Sequence, residues 1–233
     1  MTGPPLELGV APDAAMAAPD VVMAAPAAPL DASAKQRWAS APTELVGHGV
    51  LLRPLQAADL PALVALTRLE DFAHYLTWPK AWTPEGFGAW ILPALERNWP
   101  LAVIDAVTSE LVGCSSLMDI DPAHRSLEIG RTWYRSAARG TRVNPGCKLL
   151  LLDHAFEALG AQRVTLKCDA RNAHSTRAIE KLGARPEGVL RRNRVRQDGY
   201  FRDTAMFSIT RADWPGVRDG LLRRLGEAGP DPG

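Results

Sequence analysis

The chain has 233 residues, is 46% hydrophobic and 23% charged, and carries a formal net charge of +1. That balance fits a globular domain with a sizeable core and excludes strong non-specific attraction to nucleic acid or to an anionic membrane surface. No apolar run reaches the length of a membrane span, and the three cysteines, Cys114, Cys147 and Cys168, form neither a CxxC pair nor a zinc pattern, which places the chain in a reducing cytoplasm.

Residues 1–40 are rich in Ala and Pro and lack periodicity, and Met16 and Met23 lie inside them as alternative starts. The segment lacks a basic start, and its prolines break every apolar stretch, so it reads as a disordered leader rather than a signal peptide. One domain is expected over 41–227, with a flexible tail at 228–233.

Order is expected from Thr43. Val50, Leu51 and Leu52 give a short strand ended by Arg53-Pro54. Asp59 caps a helix in which Leu60, Leu63, Val64 and Thr67 recur at helical spacing. Thr83-Pro84-Glu85 opens a second helix bearing Phe87, Trp90 and Ile91, which Pro93 should end. Leu101–Ala106 and Leu111–Met118 flank Thr108-Ser109-Glu110 as a hairpin, and Leu127–Tyr134 is a further strand. A polar loop, Arg135–Asn144, leads into a helix over Pro145–Leu159, with Gly160 as its terminal glycine. Val164, Leu166 and Cys168 alternate as a strand, and Asn172 opens a helix that Gly183 closes. Strands Gly188–Arg196 and Phe201–Ile209 join at Asp198-Gly199, a two-residue hairpin signal. Asp213-Trp214-Pro215 starts a last helix ending near Leu225. Mostly antiparallel strands interrupted by single helices predict an α/β-layered, or α+β, domain.

Two places carry chemistry. Arg139-Gly140-Thr141-Arg142-Val143-Asn144 joins a strand to a helix N-terminus, whose free N–H groups and partial positive charge suit a phosphate. A surface turn with two solvated arginines fits the same residues. At the next helix, Asn172 as cap puts Ser175 at the third helical position, where its hydroxyl either serves the local backbone or offers a donor to developing negative charge.

The segment EIGRTWYRSAARGTRVNPGCKLLLLDHAFEALGAQRVTLKCDARNAHSTRAIEKLGARPEGVLRR resembles the RimJ/RimL branch of the GNAT acetyltransferases, and the likeness runs from about Thr43 to Trp214. It implies the acyl-CoA N-acyltransferase fold, with a mixed, mostly antiparallel sheet flanked by helices. It also implies acetyl-coenzyme A as cosubstrate and an amine acceptor, either a small molecule or a protein N-terminus. By that resemblance Arg139, Gly140, Thr141, Arg142, Val143 and Asn144 hold the pyrophosphate. Trp133 and Tyr134 present splayed backbone to the pantetheine, and Asn172 bonds it. Ser175 supports the leaving sulfur and Glu128 is the base. Arg142 stands where the family usually has its second glycine, Asn144 where it has Gly or Ala.

The same residues allow alternatives. Glu128 also fits a strand-surface carboxylate paired with an arginine, and Asp119, Asp121 and Asp203 are other candidate bases. The acceptor slot is expected around Leu69–Trp82 and Arg191–Arg202, with Phe72, Tyr75, Trp78 and Trp82 as apolar walls. The run Arg191–Arg196 has no interleaved aromatic platform, so a solvated hairpin is expected over an RNA-binding one. His48, His74, His124, His154 and His174 lack metal-ligand spacing, and no metal is expected. A weakly catalytic coenzyme A-binding protein and an RNA-associated protein are the rival readings, and a homodimer stays open.

Overall fold

The structure is a computed structural model that describes residues 30–93 and 98–226. The expected leader up to residue 29 and the expected tail lie outside the described residues.

Eight strands form one sheet in the order β1-β2-β3-β4-β5-β6-β8-β7. They are β1 Leu45–Gly47, β2 Val50–Pro54, β3 Trp99–Asp105, β4 Glu110–Asp121, β5 Ser126–Tyr134, β6 Arg163–Asp169, β7 Arg185–Val195 and β8 Phe201–Thr210. Every neighbouring pair is antiparallel except β5 and β6. A parallel pair needs a long crossover, and here helix α4 (Val143–Asp153) supplies it.

Strand alternation assigns the helices to opposite faces. Cys114 packs with Leu60 and Leu63 of α2 (Leu60–Leu66) and with Phe87 and Ile91 of α3 (Pro84–Ile91). Its neighbour Ser115 lies within 3.4 Å of Lys148 on α4. The α4 face is closed by α5 (Ala173–Glu180) and α6 (Trp214–Leu225), with Trp214 stacked on Phe156 at 5.2 Å between ring centroids.

Several boundaries differ from expectation for physical reasons. Ala32–Arg37 forms helix α1 inside the stretch read as leader, and Trp38 after it is 3% exposed, with its Nε1 donating to the Leu159 carbonyl at 2.8 Å. Arg37 donates to the Ala158 carbonyl at 2.7 Å, so the two residues satisfy carbonyls that the end of the crossover helix leaves open. Among the described residues, regular structure therefore extends about ten residues before the expected boundary. The crossover helix finishes in a π turn, His154–Ala158, before Gly160 takes φ +72°. It also starts at Val143, two residues early. Strand β7 runs through Pro186, which an edge strand tolerates because one side of its ladder is unused. The strand β1 and the short 3-10 helix Leu69–Phe72 are too brief to leave a periodic signature.

Candidate active site

The sheet opens where its one parallel pair gives out. Strands β5 and β6 pair only over Ser126–Glu128 with Arg163–Thr165, whereas β6 continues along β8 as far as Asp169. The cause lies on the other edge of β5. Cys114 pairs with Trp133 and Ser116 with Gly130, so Arg131 and Thr132 together face Ser115. This is a β-bulge, and Arg131 takes φ +47°, a left-handed conformation uncommon for a side chain of its size. The bulge bends β5 away from β6 and leaves a wedge. Lys148 anchors it from below, donating to Thr132 Oγ1 at 2.6 Å. That lysine is 5% exposed, and burial pushes its pKa down to about 8. A single lysine beside the run Leu149–Leu152 was its only sequence signal.

Trp133 and Tyr134 lie past the bulge, both buried. The Thr132 carbonyl accepts from the Tyr75 hydroxyl at 2.7 Å and the Tyr134 carbonyl from Arg139 Nε at 2.9 Å. Beyond Glu128 no described strand pairs β5 on its β6 side.

The loop Arg139–Asn144 stands at the N-terminus of α4. Gly140 has φ +75°, which turns the chain there, and Thr141 ties the turn by donating to the Ala138 carbonyl at 2.8 Å and accepting from Val143 N–H at 3.3 Å. The N–H groups of Gly140, Thr141, Arg142 and Asn144 make no hydrogen bond among the described residues. Free N–H groups at a helix N-terminus can receive an anion. Arg142 has φ −62°, so its place in the loop demands no glycine. The side chains behave otherwise than expected: Arg139 forms an ion pair with Asp71, and Arg142 one with Asp105 at 2.6 Å. Both guanidinium forks are held by protein carboxylates, and the anion-binding capacity rests on the backbone.

Across the wedge, Asn172 caps α5 by accepting from Ser175 N–H at 3.0 Å, which puts Ser175 at the third helical position. The Ser175 hydroxyl and the Asn172 amide nitrogen have no partner among the described residues. These two groups sit just past the end of β6 at Asp169.

Glu128 marks the point where the two strands part. It is 4% exposed, not a surface residue, and its partner is Lys167 at 2.5 Å rather than an arginine. Gly130 allows this: a Cβ there would meet Glu128 Oε1 at 2.6 Å. Burial, assisted by the neighbouring Asp119 carboxylate and opposed by Lys167, pushes the Glu128 pKa up to about 7. Such a carboxyl gives and takes protons near neutrality. Two of the rival carboxylates are engaged elsewhere, and the third shares Lys167 with Glu128. Asp119 lies 3.4 Å from Lys167, Asp121 bonds the exposed His124 at 2.9 Å, and Asp203 accepts from Arg192 N–H at 2.6 Å.

The expected aromatic slot is instead largely core. Phe72 is 1% exposed and meets Tyr75, Trp82, Phe87, Trp90 and Trp133, mostly edge to face. Trp82 Nε1 is bound to the Thr67 carbonyl at 3.1 Å. Of the four expected walls, Trp78 touches the last hairpin: its N–H donates to Gln197, and the Arg196 guanidinium lies 5.3 Å from its ring. The arginine run is also less bare of aromatics than its spelling suggests, since Arg192 lies 4.6 Å over Phe201. Among the described residues no group of three or more His, Cys, Asp or Glu is arranged for a metal, and no helix is long and apolar enough to cross a membrane.

Known proteins share this layout. A T. thermophilus structure classed as an acetyltransferase is 38% identical, covering 80% of this chain and 98% of that one with a TM-score of 0.75. Mycobacterium smegmatis RimJ, solved with CoA-disulfide, is 26% identical over 79% of this chain and 93% of its own, with a TM-score of 0.63. The Bacillus subtilis (strain 168) protein YjcK, named as an N-acetyltransferase, is 26% identical over 178 residues, 72% of this chain and 98% of that protein. The model of the acetyltransferase (GNAT) domain matches residues 50–185, which spans the wedge, the loop and both flanking helices. The chain belongs to the GNAT acetyltransferase family and is an acyltransferase whose cosubstrate is acetyl-coenzyme A.

Proposed function

We propose that this chain is a RimJ/RimL-like N-acetyltransferase that passes the acetyl group directly to an amine within a ternary complex. The observation that carries the reading is the wedge itself. It has unbonded backbone N–H groups at one side and, where its strands part, a carboxyl poised near neutrality. Acetyl-coenzyme A supplies an activated thioester acyl group. The N–H groups of Gly140, Thr141, Arg142 and Asn144 hold its pyrophosphate, with Val143 buried beneath them as the anchor of the helix start. The freed edge of β5 along Trp133 and Tyr134 and the Asn172 amide orient the pantetheine. Glu128 takes the proton of the attacking amine, and Ser175 donates its hydroxyl proton as a hydrogen bond to the departing sulfur.

A route through an acetyl-cysteine is unsupported. All three cysteines are buried and free, and burial pushes the Cys114 thiol up to about 12 and raises Cys147 as well. Three unpaired thiols also favour a reducing compartment. The likeness to RimJ, solved with a coenzyme A derivative, supports the branch.

The test is calorimetry with acetyl-coenzyme A, followed by thiol release across an amine library. Binding is expected to weaken with salt, because the pyrophosphate is held electrostatically. Undetectable binding at millimolar ligand would sink the reading.

A further inference from the structure

The last hairpin buries a cation and gives it nothing to bind. Arg202 on β8 is 6% exposed, its Nε is sealed from solvent, and the guanidinium makes no hydrogen bond or ion pair to any described residue. A buried guanidinium is ordinarily paired, because leaving its desolvation uncompensated is costly.

The sheet register says where this cation lies. Ala205, Phe207 and Ile209 turn into the core, so Arg202, Thr204 and Met206 share the opposite face of β8. Lys167 pairs with Met206 and Asp169 with Thr204, which puts Arg202 on the same face as the Glu128–Lys167 pair. Its charged neighbours are Asp169, Glu128 and Arg196. None neutralises it by contact. Asp169 is taken by Arg171, which binds both its oxygens at 3.0 and 2.8 Å. Glu128 is taken by Lys167. Arg196 repeats the pattern beside β7: its side chain is 9% exposed, its Nε is sealed without a partner, and its one ion pair is a 3.3 Å contact with Asp198.

We propose that Arg202, with Arg196, forms an anion subsite beside Glu128 that receives a carboxylate of the acceptor, so that the substrate class is an amine that also bears a carboxylate. The inference rests on the transferase reading of the same wedge. A guanidinium presents a planar fork that a carboxylate matches with two hydrogen bonds. Bound there, the carboxylate supplies the partner that the fold withholds, and the amine is brought toward Glu128. Polycationic amines are disfavoured at the same place, because their second charge would face two buried guanidinium groups.

The experiment compares amino acids with their carboxamides, over several amine-to-carboxylate spacings, by thiol release. Carboxylate acceptors are expected to exceed their carboxamides at least about tenfold in kcat/KM, chiefly through KM. Arg202→Gln should abolish that preference and Arg202→Lys restore part of it. Two measurements need no turnover. Glutarate, titrated onto the protein with coenzyme A present, should bind wild type and not Arg202→Gln. Arg202→Met, which keeps the apolar stem and removes the charge, should melt no lower than wild type, since no native partner is lost.

Equal use of carboxylates and carboxamides would overturn the subsite, as would glutarate binding that ignores Arg202 or a clear drop in melting temperature for Arg202→Met. If no amine is accepted while glutarate still binds through Arg202, the transferase reading fails and the subsite stands. If amines are accepted without preference and glutarate does not bind, the subsite fails and the transferase stands.

Discussion

The two sides of the wedge are built from different materials. The proposed pyrophosphate and strand-edge contacts to the coenzyme rely on main chain: the free N–H groups of the loop before α4 and the unpaired edge of β5. The proposed acceptor side relies on side chains: Glu128 and Arg202, both buried, with Lys167 and Arg196 partly buried beside them. A main-chain site depends on the path of the backbone and tolerates changes of residue. A side-chain site does not. The family's shared cosubstrate and its varied acceptors are what such a division would produce.

Four substitutions put that contrast at risk. The largest effect is expected at Glu128. Loss of a general base costs about 10²–10⁴ in rate, so Glu128→Gln should lower kcat within that range and leave the acetyl-coenzyme A Kd nearly unchanged. The base works deprotonated, so wild-type kcat/KM should rise with pH through a limb at about 7, where burial has set the Glu128 carboxyl, and that limb should vanish in the variant. Persistence of the limb would assign it to another group, such as the amine itself.

A smaller effect is expected at Ser175. Its hydroxyl has no partner to lose among the described residues, since the cap acceptor is Asn172. Ser175→Ala should therefore lower kcat about tenfold to a hundredfold without moving the melting temperature. Asn172→Ala should instead remove about 1 kcal/mol of stability. An unchanged kcat in Ser175→Ala, measured on a confirmed substrate, would refute the role given to the hydroxyl.

The smallest effect is expected at Arg142, and it sharpens the contrast most. Its φ is already compatible with any residue, and its half-exposed side chain is committed to Asp105. Arg142→Gly should change the acetyl-coenzyme A Kd by less than about threefold, with a stability loss under about 1 kcal/mol from the surface ion pair. A tenfold loss of affinity would show that the guanidinium leaves Asp105 for the phosphate and that the pyrophosphate site also reads side chains.

Much of this was legible in the sequence. The helix starts at Thr83, Asn172 and Asp213 carry caps or prolines, and the Asp198-Gly199 turn falls where the two last strands meet. The loop before α4 was legible as a candidate anion site because glycine and a helix start lie adjacent. The destinations of side chains were not legible. Arg139 and Arg142 spell cationic forks, yet their carboxylate partners lie 68 and 37 residues away. Phe72 and Trp82 spell a slot wall, yet they close over one another as core. Arg202 ends the stretch expected to line the acceptor slot, but nothing in its spelling marks it as buried. Only the β6–β8 register shows that it lies buried on the Glu128 face of the sheet. Long-range pairing decides each of these cases, and local periodicity carries no record of it.

The fastening of Trp38 to Leu159 has a consequence for how the chain is made. The two residues are separated by 121 positions. On a ribosome, Trp38 emerges early, while the carbonyl that will receive it has yet to be synthesised. The first tryptophan of the sequence can thus find its place only once the crossover is made, while β6, α5, β7, β8 and α6 are still to follow. Closing so long a loop costs entropy before any contact repays it. Helix α1 therefore gains this fastening only after the crossover exists, and the contact cannot be the seed from which the domain grows.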